Sequence, residues 1–170
     1  MIQQSLNGAW QFRKAGEQEW LPANAPGGVH TDLMALGRIP DPFEADNELK
    51  VMWVAESNWE YRRTFSVNDM LLVEDRVDLV CNGLDTLATV YLNGKLLGTT
   101  HNMFCQQRWS VKERLQPGEN ELSIHFASAV SYCAEKDAAR PQWTPTGALR
   151  GATHLRKAPS HFGWDWGPQL

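Results

Sequence analysis

Hydrophobic and polar positions alternate with a period of two in short runs along much of the chain. Trp59, Tyr61, Arg63, Phe65 and Val67 fall on one side of such a run, with Glu60, Arg62, Thr64 and Ser66 on the other. The same rhythm recurs at Trp10 and Phe12, at Val77, Leu79 and Cys81, and at Leu122, Ile124 and Phe126. It is the side-chain period of a half-buried strand. Leu87, Thr89 and Tyr91 alternate with Ala88, Val90 and Leu92, and that run closes on Asn93-Gly94. The dipeptide suits a type I′ hairpin, whose two central residues need φ > 0; the return strand is expected over 95–98. Pro117-Gly118-Glu119-Asn120 has the composition of a turn. Short strands punctuated by turns predict an all-β fold, an antiparallel β-sandwich.

One short helix interrupts this pattern, with Thr31 as its cap, Leu33, Met34 and Leu36 as its apolar side, and Gly37 ending it before Pro40. The stretch 39–48 is too rich in Pro and Asp for a ladder. The stretch 132–159 carries Pro141, Pro145, Pro159, Gly147 and Gly151 and reads as a long loop, a type of segment that often carries function. Gly163-Trp164-Asp165-Trp166-Gly167-Pro168 follows, and the reading is of a sandwich whose terminal strand is missing. Phe162, Trp164 and Trp166 are then expected to be uncovered.

Composition narrows the class. The 170 residues fit a single domain, 1–170. One core of that size buries roughly 70% of the unfolded chain's surface, so no staple is needed. A net charge of -4 and scattered basic residues argue against nucleic acid as a partner. No membrane is expected either, since no stretch has the length of a span and no signal-peptide pattern opens the chain. Cys81, Cys105 and Cys133 lack any C-x-x-C spacing, which argues against a disulfide framework or a zinc site. They read as buried free thiols in the cytoplasm. No cofactor or metal is called for: His154, His161 and Asp165 match no common metal spacing, and Asp41, Asp46 and Glu48 read as a solvated loop. His30 is expected to satisfy backbone groups beside the helix. Eight tryptophans exceed ordinary usage, and such rings fill sandwich cores or stack on sugars.

Four blocks carry a family resemblance. They are Ala25-Pro26-Gly27-Gly28-Val29-His30-Thr31-Asp32-Leu33; Gly37-Arg38-Ile39-Pro40-Asp41-Pro42-Phe43 with Asn47-Glu48 and Trp53-Val54; Asn82-Gly83-Leu84-Asp85-Thr86 with Val90-Tyr91-Leu92-Asn93-Gly94 and Asn102-Met103-Phe104; and Arg156-Lys157 with Phe162-Gly163-Trp164-Asp165-Trp166-Gly167-Pro168. From about residue 5 onward the chain resembles the N-terminal, jelly-roll or galactose-binding-like domain of β-mannosidases, in the glycoside hydrolase clan of β-galactosidase and β-glucuronidase. The last string weighs most, because the Asn-Gly hairpin is shared loosely across the clan.

The resemblance implies a retaining exo-glycosidase that removes β-linked mannose from non-reducing ends. That chemistry needs two carboxylates about 5 Å apart, one as nucleophile and one as acid/base. In the family both are glutamates on a downstream (β/α)₈ barrel, so no catalytic residue is assigned here and the chain alone is expected to be inactive. The implied partners are a β-mannoside or mannose and the downstream domains of the same polypeptide. Trp164 and Asp165 match the family's substrate-binding positions in the glycone subsite. An ionised Asp accepts charge-assisted hydrogen bonds from hydroxyls, and an indole walls one edge of the sugar. In a regular strand the two would face opposite ways, so Gly163 and Gly167 must bracket an irregular turn.

Plainer roles stand beside these. Asp165 is otherwise a turn carboxylate, Trp164 and Trp166 are otherwise core, and Asn102-Met103-Phe104 is a pocket mouth or an ordinary connection. Arg156-Lys157 is expected to pair with residues further downstream. The rival function is a free-standing lectin-like module, which would present several aromatics on one exposed strand face. The candidates crowd the last residues instead, which favours a scaffold for the barrel.

Overall fold

The computed structural model describes residues 2–144, 149–163, 167, 168 and 170. Its elements run β1 (Gly8–Lys14), β2 (Leu21–Ala25), α1 (Val29–Ala35), α2 (Asn47–Glu56), β3 (Trp59–Ser66), α3 (Asp69–Leu72), β4 (Asp78–Cys81), β5 (Ala88–Leu92), β6 (Lys95–Thr100), β7 (Gln107–Ser110), β8 (Glu119–Phe126) and α4 (Ala129–Ala139). Six strands form one sheet in the order β2-β1-β3-β8-β5-β6, while β4 and β7 pair as a second. Every pairing between these strands is antiparallel. This is the all-β sandwich that the alternation predicts.

Register explains the core. Phe12, Tyr61, Ile124 and Val90 stand opposite one another across four strands, a single row on the inner face. Phe12 and Val90 are fully buried, and Phe12 lies 5.5 Å from Tyr61 and 5.7 Å from Trp59 between ring centroids. The next row, Arg13, Glu60, His125 and Thr89, points the other way, as the pleat requires. There Arg13 pairs with Glu60 at 2.6 Å, and Trp20 lies between the Arg13 and Arg62 guanidiniums at 4.3 and 4.0 Å. The tryptophans therefore divide: Trp10 and Trp59 are core, Trp20 holds the outer face, and Trp143 is exposed.

Turn chemistry holds where it is local. Asn93 and Gly94 take φ values of 51° and 71° in a two-residue loop that pairs Leu92 with Lys95. Asn93 does a second job, donating through Nδ2 to Arg114 O and to Asn120 Oδ1 and accepting from Glu121 N–H. The two sheets touch at Gly98: a Cβ there would stand 2.6 Å from Trp109 Nε1. Gly98→Ala is accordingly expected to destabilise the domain by about 1–3 kcal/mol through overpacking. A melting temperature lowered by roughly 2–10 °C is the expected result for a chain of this size, and an unchanged one would show that Trp109 moves aside freely.

Among the described residues four α-helices stand where one was expected. The helix that was expected starts at Val29 rather than after Thr31, with Gly28 at its cap position; the Thr31 hydroxyl accepts from Gly28 N–H and donates to Gly28 O. Gly37 follows it at φ 64° and closes it as foreseen. α2 grows out of the Pro-rich stretch and buries Val51 and Val54 beneath the sheet, with Trp59 Nε1 donating to Val54 O at 2.9 Å. α4 occupies 129–139, so the first eight residues of the expected long loop are helical; the Ser128 hydroxyl caps it by accepting from Ser131 N–H. All three cysteines are free, but only Cys133 is buried as expected; Cys81 is half-buried and Cys105 exposed. No helix among the described residues is long and apolar enough to cross a membrane.

Candidate functional site

Three loops meet at one end of the sheets. The first, 82–86, leads from β4 into β5 and carries Asp85. The second, 101–106, joins β6 to β7 and carries Asn102, Met103 and Phe104. The third is the segment 155–163, which ends in a 3₁₀ turn at Pro159–Phe162.

The third segment is fastened along its length. Leu155 and Phe162 are buried with Cys133 of α4 in a small second core. Phe162 is thus covered, contrary to the expectation that it lies bare. Arg156 forms a parallel bridge with Asn102, and Met103 N–H donates to Arg156 O at 3.1 Å. Ala158 N–H donates to the Met103 sulfur at 3.0 Å. Lys157 Nζ donates to Asp85 Oδ2 at 2.6 Å, and His161 Nδ1 lies 3.0 Å from the same oxygen. Lys157 therefore pairs within the domain, where sequence reasoning expected it to reach downstream.

Burial pushes the Asp85 carboxyl up, but hydrogen bonds from Lys157, Thr86 and His161 outweigh it and hold the group below its usual range. A depressed carboxylate contributes stability that is present above the unfolded pKa and is lost as pH falls through the folded value. The Asp85 tie is therefore strongest from the ordinary carboxylate range upward.

Trp164, Asp165 and Trp166 lie outside the described residues. The residue before them is described: Gly163 takes φ 116°, a backbone direction that suits glycine. The Asn102 carboxamide closes its own loop, accepting from Phe104 N–H at 3.0 Å, and leaves the Phe104 ring exposed. Beside these loops a cavity of about 2160 Å³ opens between the inner face of the larger sheet and the run 76–86, with Lys157, His161, Gly167 and Pro168 among its lining.

The remaining polar candidates resolve into local roles. His154 lies 3.0 Å from Arg140 O. Asp41 accepts from Phe43 N–H at 2.9 Å, and Asp46 pairs with Lys50 at 3.1 Å. Among the described residues no three His, Cys, Asp or Glu side chains gather as a metal site. His30 does not satisfy backbone as expected: its buried Nε2 has no hydrogen-bond partner among the described residues, and burial lowers its pKa. Sequence reasoning missed the Asp85, Lys157 and His161 cluster, whose members stand 72 and 76 residues apart.

The architecture matches a known class. Residues 10–170 match the glycosyl hydrolase 2 galactose-binding domain-like family, and the chain belongs to it. It is 39% identical to beta-mannosidase B of Thermothelomyces thermophilus over 97% of its length, and 33% identical to the beta-mannosidase of Mus musculus over 98%. It covers 20% of each of those proteins. The crystal structure of a beta-D-mannosidase from Dictyoglomus thermophilum superposes with a TM-score of 0.92 at 41% identity, over 97% of this chain and 20% of that one. The chain thus spans about a fifth of the length of the relatives it matches.

Proposed function

We propose that this domain, 1–170, is the N-terminal part of a retaining exo-β-mannosidase, a larger polypeptide that hydrolyses terminal β-D-mannose residues. The observation that carries the reading is likeness along nearly the whole chain to proteins named β-mannosidase, in sequence and in backbone. The domain scaffolds the catalytic barrel and contributes Trp164 and Asp165 to the glycone pocket. Its second sheet has two strands against six among the described residues, which supports completion of that layer by another strand. Three free thiols support a reducing, cytoplasmic setting.

The reaction needs a nucleophile and an acid/base held about 5 Å apart, and both belong to the barrel in this reading. The purified 170-residue chain is expected to leave a chromogenic β-mannoside untouched, while the full-length polypeptide turns it over and prefers it to the β-galactoside and β-glucuronide. Turnover by the isolated domain, with contaminating enzyme excluded, would defeat the division of labour. Sugar binding by the isolated domain, combined with an inactive full-length polypeptide, would establish the lectin instead.

A further inference from the structure

We propose that Asp85, Lys157 and His161 form a positioning latch that fixes the direction in which the chain enters the 163–168 string. The inference rests on the reading of Trp164 and Asp165 as sugar contacts and adds the device that aims them. A side chain on a free segment can hydrogen-bond a hydroxyl only part of the time, whereas displacement by about 1 Å at a reacting geometry can cost 10²-fold in rate. Something must therefore hold the segment, and the fastenings fall on the residues just before it.

Lys157 is the pivot. Its ammonium sits 2.6 Å from Asp85 Oδ2 and 3.5 Å from His161 Nδ1, and its side chain is 16% exposed. A half-desolvated, charge-assisted contact of this kind is firmer than an ordinary surface pair. Asp85 stands in the loop that leads into β5, at the middle of the large sheet's far half, so the latch ties the segment to the rigid part of the fold. The single Arg156 bridge to loop 101–106 holds the backbone on one side, and Phe162 in the small core stops it from sliding. With those points fixed, the φ of 116° at Gly163 sets the departure of the chain. Trp164 is three residues beyond His161.

The test uses the full-length polypeptide and four variants: Lys157→Met, Lys157→Arg, Asp165→Ala and the double variant Lys157→Met/Asp165→Ala. Lys157→Met keeps the stem and removes the charge. It is expected to lower kcat/KM towards an aryl β-mannoside by roughly 10- to 100-fold, chiefly in kcat, while the melting temperature stays within a few degrees. Lys157→Arg should recover most of the loss. Because Lys157 acts through the segment that bears Asp165, the double variant should be little worse than Asp165→Ala alone. Losses that multiply in the double variant, or a Lys157→Met enzyme as active as the parent beside an impaired Asp165→Ala, would overturn the latch and leave the sugar contact standing. A fully active Asp165→Ala would remove the sugar contact itself, and the latch with it.

Discussion

Asp165→Ala in the full-length polypeptide is expected to lower kcat/KM for a β-mannoside by roughly 30- to 1,000-fold with little change in melting temperature. Losing charge-assisted hydrogen bonds to sugar hydroxyls removes about 2–4 kcal/mol from the transition state, which gives that range. The loss should appear in kcat as well as KM, since distortion of the ring at the reacting centre draws on contacts to its remote hydroxyls. A carboxylate that merely closed a turn would behave in the opposite way. Its removal would cost about 1 kcal/mol of stability and leave turnover nearly intact. Melting temperature and kcat/KM measured on one variant therefore separate the two roles. A destabilised but fully active enzyme would return Asp165 to the scaffold.

The largest effect on folding is expected at Phe12. It is fully buried, lies against Trp59 and Tyr61, and belongs to the inner row. Phe12→Ala should cost about 3–5 kcal/mol, the lost transfer energy plus the cavity left behind. For a domain of this size that corresponds to a melting temperature lower by roughly 6–20 °C. Gln11, one residue away, points to the outer face and only accepts a 2.9 Å hydrogen bond from Arg62. Gln11→Ala should stay within about 0.5 kcal/mol of the parent. Calorimetry on both variants checks the assignment of faces, and equal losses would contradict it.

Strands were legible because their signals are local. Alternation at 59–67 carries its own face assignment, and Asn93-Gly94 states its turn type in two residues. The helices were harder. α2 has Val51 and Val54 buried but leaves Leu49, Met52 and Trp53 largely outside, so it shows no apolar stripe. α4 buries Cys133 and Asp137, and the second of these is a charged residue satisfied by Arg150 at 2.6 Å and by Gln142 N–H. Hydrophobic periodicity cannot register a helix anchored by a carboxylate. At the candidate site, Trp164 and Asp165 were singled out by family resemblance alone. The Asp85, Lys157 and His161 cluster was invisible for a different reason: no pattern along the chain reports an ion pair between two segments that meet only after the sheets have assembled.

The strand order also fixes when this domain can become itself. β8 lies between β3 and β5, yet it is the last strand of the sheet to be made, and each of its residues from Glu119 to Phe126 pairs with β3. As the chain emerges from a ribosome, β1, β2 and β3 can gather into a small antiparallel group, and β5 and β6 can close their hairpin. Neither half can bury its inner face until the central strand arrives. Pairing β8 with β3 must meet the entropy of closing the 52 residues between Ser66 and Glu119 before a contact between those two strands rewards it. In the interval the inner edges of β3 and β5 stand open, ready-made templates for another nascent copy. Synthesis speed between β6 and β8 thus becomes a determinant of yield for this domain, through the time for which those two edges wait.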